Sequence, residues 1–133
     1  MDMRGPCILL AAGLTFIFPG FAAMAEVECA DHSTQSGMNT CAASELKKAD
    51  EELNAIYDKL LSRLDSGQKP LLKAAERAWI HYRDRMCEFQ GSGTKGGSIN
   101  PMIVANCLTE LTTGQTRRLS QYLDCEEGDL SCP

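Results

Sequence analysis

The chain has 133 residues, and its 13 lysines and arginines against 18 aspartates and glutamates give it a net charge of −5. An acidic chain is a poor candidate for nucleic-acid binding, because phosphate contacts need clustered lysine and arginine side chains. The negative charge would instead complement a basic partner.

The first 25 residues have the features of an export signal. Arg4 is followed by an apolar run over residues 8–18 and then by the cleavage-site pattern Ala23-Met24-Ala25. The run is too short, and too interrupted by glycine and proline, for a transmembrane helix. We therefore predict a signal peptide over residues 1–25, a periplasmic or secreted mature protein, and no stable membrane span after cleavage.

All cysteines except Cys7 lie in the predicted mature chain, residues 26–133, whose length suits a single small domain. An even number of cysteines in a short exported chain predicts three disulfides. Of the fifteen possible connectivities, proximity in the sequence favours Cys29–Cys41, Cys87–Cys107 and Cys125–Cys132. With every thiol oxidised, no thiolate would remain to bind zinc or to act as a nucleophile.

The first two helical segments are predicted from apolar residues spaced three and four positions apart. One spans about 34–64, and its apolar face is Leu46, Ala49, Leu53, Ile56, Leu60 and Leu64. The other spans about 68–89, and its apolar face is Leu72, Ala75, Trp79, Tyr82, Met86 and Phe89. Gly67 between them suits the left-handed position that follows a helix, and so short a connection predicts an antiparallel hairpin.

A glycine-rich loop over residues 91–98 precedes the third helical segment, which spans about 100–123. Asn100 is predicted to cap this helix, with Pro101 in its first turn. The apolar face is interrupted by Gln115 and consists of Val104, Leu108, Leu111, Leu119 and Tyr122. The loop is flexible by composition, and a Cys87–Cys107 bond would hold its two ends. It is either a recognition element or simply a long turn.

The predicted fold is therefore all-α, a small disulfide-stapled bundle of three main helices. The sequence contains no pattern typical of a catalytic or metal site, and we predict neither an enzyme nor a cofactor. His32 and His81 lie far apart, with no second ligand at metal-binding spacing. Adjacent acidic residues such as Glu51 and Glu52 do not share a helix face, which argues against paired catalytic carboxylates.

Several polar residues fall on or beside the apolar faces and are predicted to form an internal network between helices. Asp50 and Arg83 are the expected ion pair, because buried polar groups need hydrogen-bonding partners. Trp79 is expected in the core. The residues assigned to this network are Asp50, Asn54, Trp79, Tyr82, Arg83, Asp84 and Gln115.

Four blocks of this sequence resemble the LprI-type lysozyme-inhibitor domain family, over roughly residues 29–123. They are M-N-T-C-A at 38–42, A-D-x-x-L-N-x-x-Y at 49–57, W-x-x-Y-R-D-x-x-C at 79–87 and C-L-x-x-L-T at 107–112. The resemblance implies a small, helical, disulfide-bonded periplasmic or surface protein with a lysozyme-inhibiting role. The chain departs from the family pattern at Gln115, where an arginine would complete a charge network with Asp50.

The sequence and the resemblance together predict an exported lysozyme-inhibitor-like protein that binds a host or environmental lysozyme and occludes its cleft, with c-type lysozyme as the candidate partner. The residues expected to bind this partner are Lys95 and Ser98 in the loop and Glu126, Glu127 and Asp129 in the acidic tail. A first alternative is a non-enzymatic structural or interaction module of the bacterial cell envelope without affinity for lysozyme. A second alternative is a saposin-like lipid binder, which would need a pairing of the first and last cysteines.

Overall fold

The computed structural model describes residues 33–126, 128–130, 132 and 133, and within them it contains helices and no strands. The three long helices are α1 (Gln35–Arg63), α2 (Gln68–Gly91) and α3 (Asn100–Leu123), and a short 3-10 turn, Ser92–Thr94, follows α2. The predicted all-α class is confirmed, and each predicted helix agrees with the observed one to within two residues. The predicted signal peptide, residues 1–25, lies outside the described residues.

Side-chain caps determine where the first two helices begin. The Thr34 hydroxyl accepts a hydrogen bond from the Gly37 amide at 3.0 Å and caps α1. Before α2, the Asp65 carboxylate accepts from the amides of Gly67 and Gln68, both at 2.8 Å. The Gln68 side chain in turn accepts from the Asp65 amide at 3.0 Å, which completes a reciprocal capping box.

This capping box corrects the prediction for Gly67. The residue has φ −83°, in the right-handed region, and the predicted left-handed conformation is therefore wrong. The connection turns because the Asp65 side chain binds the first free amides of α2, and no left-handed residue is needed after α1.

Hydrogen bonds at both ends of α1 show that α1 and α3 run side by side in the same direction. Near the start of α1, Asn39 donates to the Ser98 carbonyl at 2.9 Å, just before α3 begins. At the end of α1, Arg63 donates to the Leu123 carbonyl at 2.9 Å, where α3 ends. This pair of helices forms the most extensive packing in the described part of the chain.

Helix α2 packs mainly against α3 rather than against α1. The Cys87–Cys107 disulfide joins the end of α2 to the first half of α3. Gln115, further along α3, donates to Glu76, nearer the start of α2, so these two helices run in opposite directions. The antiparallel hairpin of α1 with α2 stays a prediction. None of the helices in the described residues is long and apolar enough to cross a membrane.

The apolar core lies in the half of the bundle where α1 and α3 end. Leu53, Leu60 and Leu64 of α1 and Leu119 of α3 form its buried centre, and Trp79 of α2 packs against them. The predicted apolar face of α1 is therefore confirmed. Burying a leucine side chain stabilises the fold by about 1.5–3 kcal/mol, so this cluster is a main source of stability.

The predicted inward face of α2 is wrong for four of its six residues. Tyr82, Met86 and Phe89 are 53%, 37% and 75% exposed, and Ala75 is exposed as well. After the first turn of α2, the residues that are buried or half-buried are Leu72, Glu76, Trp79, Arg83, Cys87 and Gly91. The polar groups and the cysteine of α2 have their partners on the other helices, and those partners determine which side of α2 faces inward. On α3, Tyr122 is likewise 40% exposed instead of buried.

Two disulfides lie wholly within the described residues, one inside the bundle and one in the tail. Cys87 and Cys107, which are 0% and 3% exposed, join α2 to α3 in the core. Cys125 and Cys132 close a small loop after α3. Cys41 is also disulfide-bonded, while its predicted partner Cys29 lies outside the described residues.

The contact between α2 and α3 leaves no room for a side chain at Gly91. A Cβ atom there would lie 2.6 Å from Cγ2 of Val104 and 3.2 Å from Nδ2 of Asn100. At Gly93, two residues later, a Cβ atom would meet nothing within 4 Å. Gly91 is therefore required by packing, whereas Gly93 is not.

We predict that Gly91→Ala lowers the free energy of unfolding by about 1–3 kcal/mol, because the added methyl group forces the two helices apart. Gly93→Ala is the matched control and should change it by less than about 1 kcal/mol. Urea unfolding followed by circular dichroism measures both values. Equal stability of the two variants would contradict the close helix contact.

We also predict that removing the buried disulfide, with Cys87→Ala and Cys107→Ala, lowers the free energy of unfolding by about 2–4 kcal/mol. Removing the tail disulfide, with Cys125→Ala and Cys132→Ala, should change it less, because the tail lies outside the core. The same unfolding measurement compares the two double variants. A larger loss from the tail variant would show that the tail supports the bundle.

Candidate interaction site

Arg83 lies at the centre of the bundle and contacts all three helices. Its Nη1 donates to Asp50 of α1 at 2.9 Å and to the Thr112 hydroxyl of α3 at 3.1 Å. Its Nε donates to Asp84 at 3.1 Å, and its guanidinium lies 5.4 Å from the centre of the Trp79 ring. The Arg83 side chain is only 15% exposed, so these partners replace most of its water.

A second polar pair lies about one turn further along α3 and two turns nearer the start of α2. Gln115 donates to Glu76 at 2.9 Å, and Glu76 is 8% exposed. The resemblance implied that an arginine at position 115, which this chain lacks, would complete a network with Asp50. In the structure Arg83 pairs with Asp50, as expected from the sequence, and Gln115 binds Glu76.

The structure brings four of the predicted network residues into one cluster: Asp50, Trp79, Arg83 and Asp84. Gln115 belongs to the separate pair with Glu76. Asn54 and Tyr82 are exposed, and Tyr82 points away from the core because the face of α2 is shifted.

Sequence reasoning missed Thr112 and Glu76. Glu76, Arg83 and Cys87 share one helix face, since they stand at steps of seven and four. If Cys87 binds a cysteine of α3, that whole face must point to α3. This signal was present in the sequence and would have predicted Glu76 as a buried residue.

A cleft of about 520 Å³ lies between α1 and α2 beside this cluster. Asp50, Asn54 and Tyr57 line it on one side, and Lys73 and Arg77 on the other. Within the described residues, no three histidine, cysteine or acidic side chains are close enough to hold a metal ion.

The glycine-rich loop is anchored at its base by Asn100. The Asn100 side chain donates to the Gly91 carbonyl at 2.8 Å and to the Thr94 hydroxyl at 2.9 Å. It therefore does not cap α3, and the predicted N-cap role is wrong. The cap position is occupied by Ile99, and Asn100 instead joins the end of α2 to the start of α3.

The loop itself is a series of turns rather than an open, flexible segment. Backbone hydrogen bonds from Gly97 to Thr94 (2.9 Å) and from Asn100 to Gly97 (3.1 Å) close successive turns. Gly96 has φ +81°, a conformation that favours glycine. Lys95 and Ser98 are the exposed side chains predicted to bind a partner.

A pocket of about 550 Å³ opens beside the loop, between the end of α2 and the start of α3. Lys95 lies at its edge, and Phe89, Val104 and Leu108 form its apolar walls. We refer to the loop and this pocket together as the loop end of the bundle.

The tail after α3 forms a small closed loop at the other end. Turns join the Asp129 amide to the Glu126 carbonyl (3.2 Å) and the Cys132 amide to the Asp129 carbonyl (3.1 Å). Glu126 and Asp129 are exposed, and Leu130 is fully exposed. Glu127 lies outside the described residues. We refer to this acidic segment as the tail end.

The structure does not bring the two predicted groups of partner-binding residues together. The loop end precedes the first residue of α3 and the tail end follows its last, and α3 has 24 residues. A helix of that length separates its ends by about 35 Å. An interface burying about 800 Å² per partner is roughly 30 Å across, so one compact interface does not readily include both ends.

The family described as Lysozyme inhibitor LprI matches residues 28–119 of the chain. This chain belongs to that lysozyme-inhibitor family. The resemblance in the four sequence blocks is thereby confirmed. The matched region contains all of α1, α2 and the Arg83 cluster, and it ends before the acidic tail.

Two individual proteins are similar to this chain. An uncharacterized protein of Rhizobium meliloti (strain 1021) is 36% identical over 138 residues, covering 94% of this chain and 99% of that protein. The crystal structure of a DUF1311 family protein from Pseudomonas putida KT2440 superposes with a TM-score of 0.62 at 23% identity. The superposition covers 66% of this chain and 92% of the Pseudomonas putida protein. At 23% identity this similarity shows only that the two proteins share a fold.

We predict that Arg83→Met lowers the free energy of unfolding by about 2–3 kcal/mol, because three charged hydrogen bonds are lost near the core. The neighbouring Arg85 is the matched control, since its side chain is 81% exposed and pairs with Glu88 at 2.6 Å. Arg85→Met should cost less than about 1 kcal/mol. Urea unfolding compares the two, and an equal loss would show that Arg83 does not hold the helices together.

Proposed function

We propose that this protein is an exported, non-enzymatic lysozyme inhibitor that binds a c-type lysozyme and occludes its saccharide cleft. The observation that carries the proposal is the family match over residues 28–119, which covers most of the predicted mature chain. The net charge of −5 supports it further, because lysozymes of this type are strongly basic and opposite charge accelerates association.

Of the two ends of the bundle, the tail end suits a basic enzyme better. Asp124, Glu126 and Asp129 are exposed acidic residues within a few positions of one another, and Glu127 adds a fourth carboxylate to the same segment. The Cys125–Cys132 disulfide limits the conformations of the segment, which reduces the entropy lost when it binds. Leu130 offers an exposed apolar contact inside this acidic loop.

The loop end fits the same partner less well. Lys95 would bring a positive charge to a basic surface, and such like-charge contacts weaken binding. Ser98 already accepts a hydrogen bond through its backbone carbonyl from Asn39, which holds the loop against α1. We therefore assign the main lysozyme contact to Glu126, Glu127 and Asp129. Lys95 and Ser98 are the alternative lysozyme contact, which the variants below test.

The test is a cell-wall lysis assay with the oxidised protein and a c-type lysozyme, at about 50 and 150 mM salt. We expect stoichiometric inhibition that weakens at the higher salt, because screening reduces attraction between exposed charges. Glu126→Lys with Asp129→Lys should weaken inhibition by about tenfold or more, because both carboxylates become like charges to the enzyme.

Matched controls separate a local contact from net charge. Glu52→Lys with Asp58→Lys makes the same change in net charge at exposed positions of α1 and should leave inhibition nearly intact. If this control loses as much inhibition as the tail variant, the assignment of the contact to the tail is contradicted. If Lys95→Glu with Ser98→Ala loses inhibition instead, the loop end is the contact. If c-, g- and i-type lysozymes are all uninhibited, the proposal is wrong and an envelope interaction module is the better interpretation.

A further inference from the structure

Helix α2 has a second apolar face that neither α1 nor α3 covers. It consists of Leu71, Ala75, Ala78, Tyr82, Met86 and Phe89, which we call the α2 stripe. The steps of four, three, four, four and three residues place all six on one side of the helix. Leu71 is 71% exposed and Phe89 is 75% exposed, so the face is open at both of its ends.

The size of the stripe is what makes it informative. From residue 71 to residue 89 it runs for about 27 Å along the helix. An aromatic side chain has about 150–250 Å² to bury, so the exposed fractions of Tyr82 and Phe89 alone leave about 250 Å² of apolar surface open. Continuous apolar patches of a few hundred Å² on small proteins mark sites of interaction.

We propose that the α2 stripe is the contact surface for a second copy of this chain, with the two α2 helices packed antiparallel about a two-fold axis near residue 80. The proposal does not depend on lysozyme inhibition. Its first support is the order of small and large residues along the stripe. The first half contains Leu71 followed by the small residues Ala75 and Ala78, and the second half contains the large residues Tyr82, Met86 and Phe89.

A two-fold axis near residue 80 matches each half with the opposite half of the other copy. Tyr82 then lies against Ala78 of the second copy, and Phe89 lies against its Leu71. Tyr82 thus meets an alanine, which allows the two helices to approach closely, and Phe89 and Leu71 form an apolar contact at each end. Because the same patch serves both copies, the contact closes at a dimer and does not continue into a filament.

The charges beside the stripe fit a second copy better than a basic partner. His81 and Arg85 are exposed next to it, and Arg85 pairs with Glu88 of its own helix at 2.6 Å. In the two-fold arrangement the two Arg85 residues stand about ten positions apart, or about 15 Å along the helix axis. That is beyond the screening length of about 8 Å at physiological salt.

The buried area predicts a weak dimer. A strip about 27 Å long and 10–12 Å wide is about 300 Å² on each copy, and its flanks extend it toward 500 Å². The total for both copies, about 600–1,000 Å², is below that of stable complexes and in the range of weak, transient ones. We therefore expect a dissociation constant in the micromolar range, about 1–100 µM.

Sedimentation equilibrium of the full chain, expressed with its own N-terminal segment and oxidised cysteines, tests the proposal from about 1 to 300 µM. We expect a monomer–dimer equilibrium. Ala78→Glu, which puts two like charges near the two-fold axis, should raise the dissociation constant by about 30-fold or more. Ala55→Glu adds the same charge at an exposed alanine of α1 and should leave it unchanged.

A mixture of variants tests the symmetry. Ala78→Glu and Ala78→Lys should each be monomeric alone, and mixing them should restore a dimer, because positions 78 of the two copies lie about 6 Å apart along the axis. Circular dichroism and the melting temperature establish that each variant is folded.

Four results would overturn the proposal. The first is a wild-type chain that stays monomeric at 300 µM, and the second is an Ala78→Glu variant that dimerises like the wild type. The third is an Ala55→Glu variant whose dissociation constant rises as much as that of Ala78→Glu. The fourth is a mixture of Ala78→Glu and Ala78→Lys that does not form a dimer. If the wild type is monomeric and Ala78→Glu abolishes lysozyme inhibition, the stripe is instead part of the lysozyme contact.

Discussion

The arrangement of the three helices depends on the partners of one arginine. Arg83 reaches Asp50 of α1 and Thr112 of α3 from its place on α2, so a rotation of any helix would break at least one charged hydrogen bond. A guanidinium with only 15% of its side chain exposed needs partners for its donors, because losing water without replacement is unfavourable. The Cys87–Cys107 disulfide lies one turn away on the same face and restricts α2 and α3 covalently. The leucine core lies on the other side of Arg83, toward the end of α1.

The same register explains why so much apolar surface of α2 stays outside. Once Glu76, Arg83 and Cys87 point inward, the side chains of Tyr82 and Phe89 must point elsewhere, because these residues lie on a different side of the helix. Within residues 33–126, no further long helix covers that side. The apolar face that remains is therefore either an exposed patch in contact with water or an interface with another molecule.

The parallel arrangement of α1 and α3 divides the molecule into two chemically different ends. The loop end combines Lys95 with the apolar walls of a pocket, whereas the tail end combines several carboxylates with the exposed side chain of Leu130. The family match covers the helices and stops before the tail, so membership accounts for the shared fold better than for the choice of binding end.

The sequence alone determined the elements that depend on local chemistry. Steps of three and four apolar residues predicted all three helices, and proximity along the chain paired Cys87 with Cys107 and Cys125 with Cys132. It also suggested that Asp50 meets Arg83, because a buried charge needs a partner. Its apolar pattern did not predict which side of α2 faces inward, since apolar residues occupy two sides of that helix, and only the position of Cys87 and the polar partners on α1 and α3 distinguish them. Asn100 shows the same limit. Its local pattern is that of a helix cap, but its side chain binds Gly91 and Thr94 instead, because the packing of α2 on α3 brings them close.

The separation of Lys95 from Glu126 was likewise decided by the tertiary structure, because the straight length of α3 holds the two ends of the bundle apart.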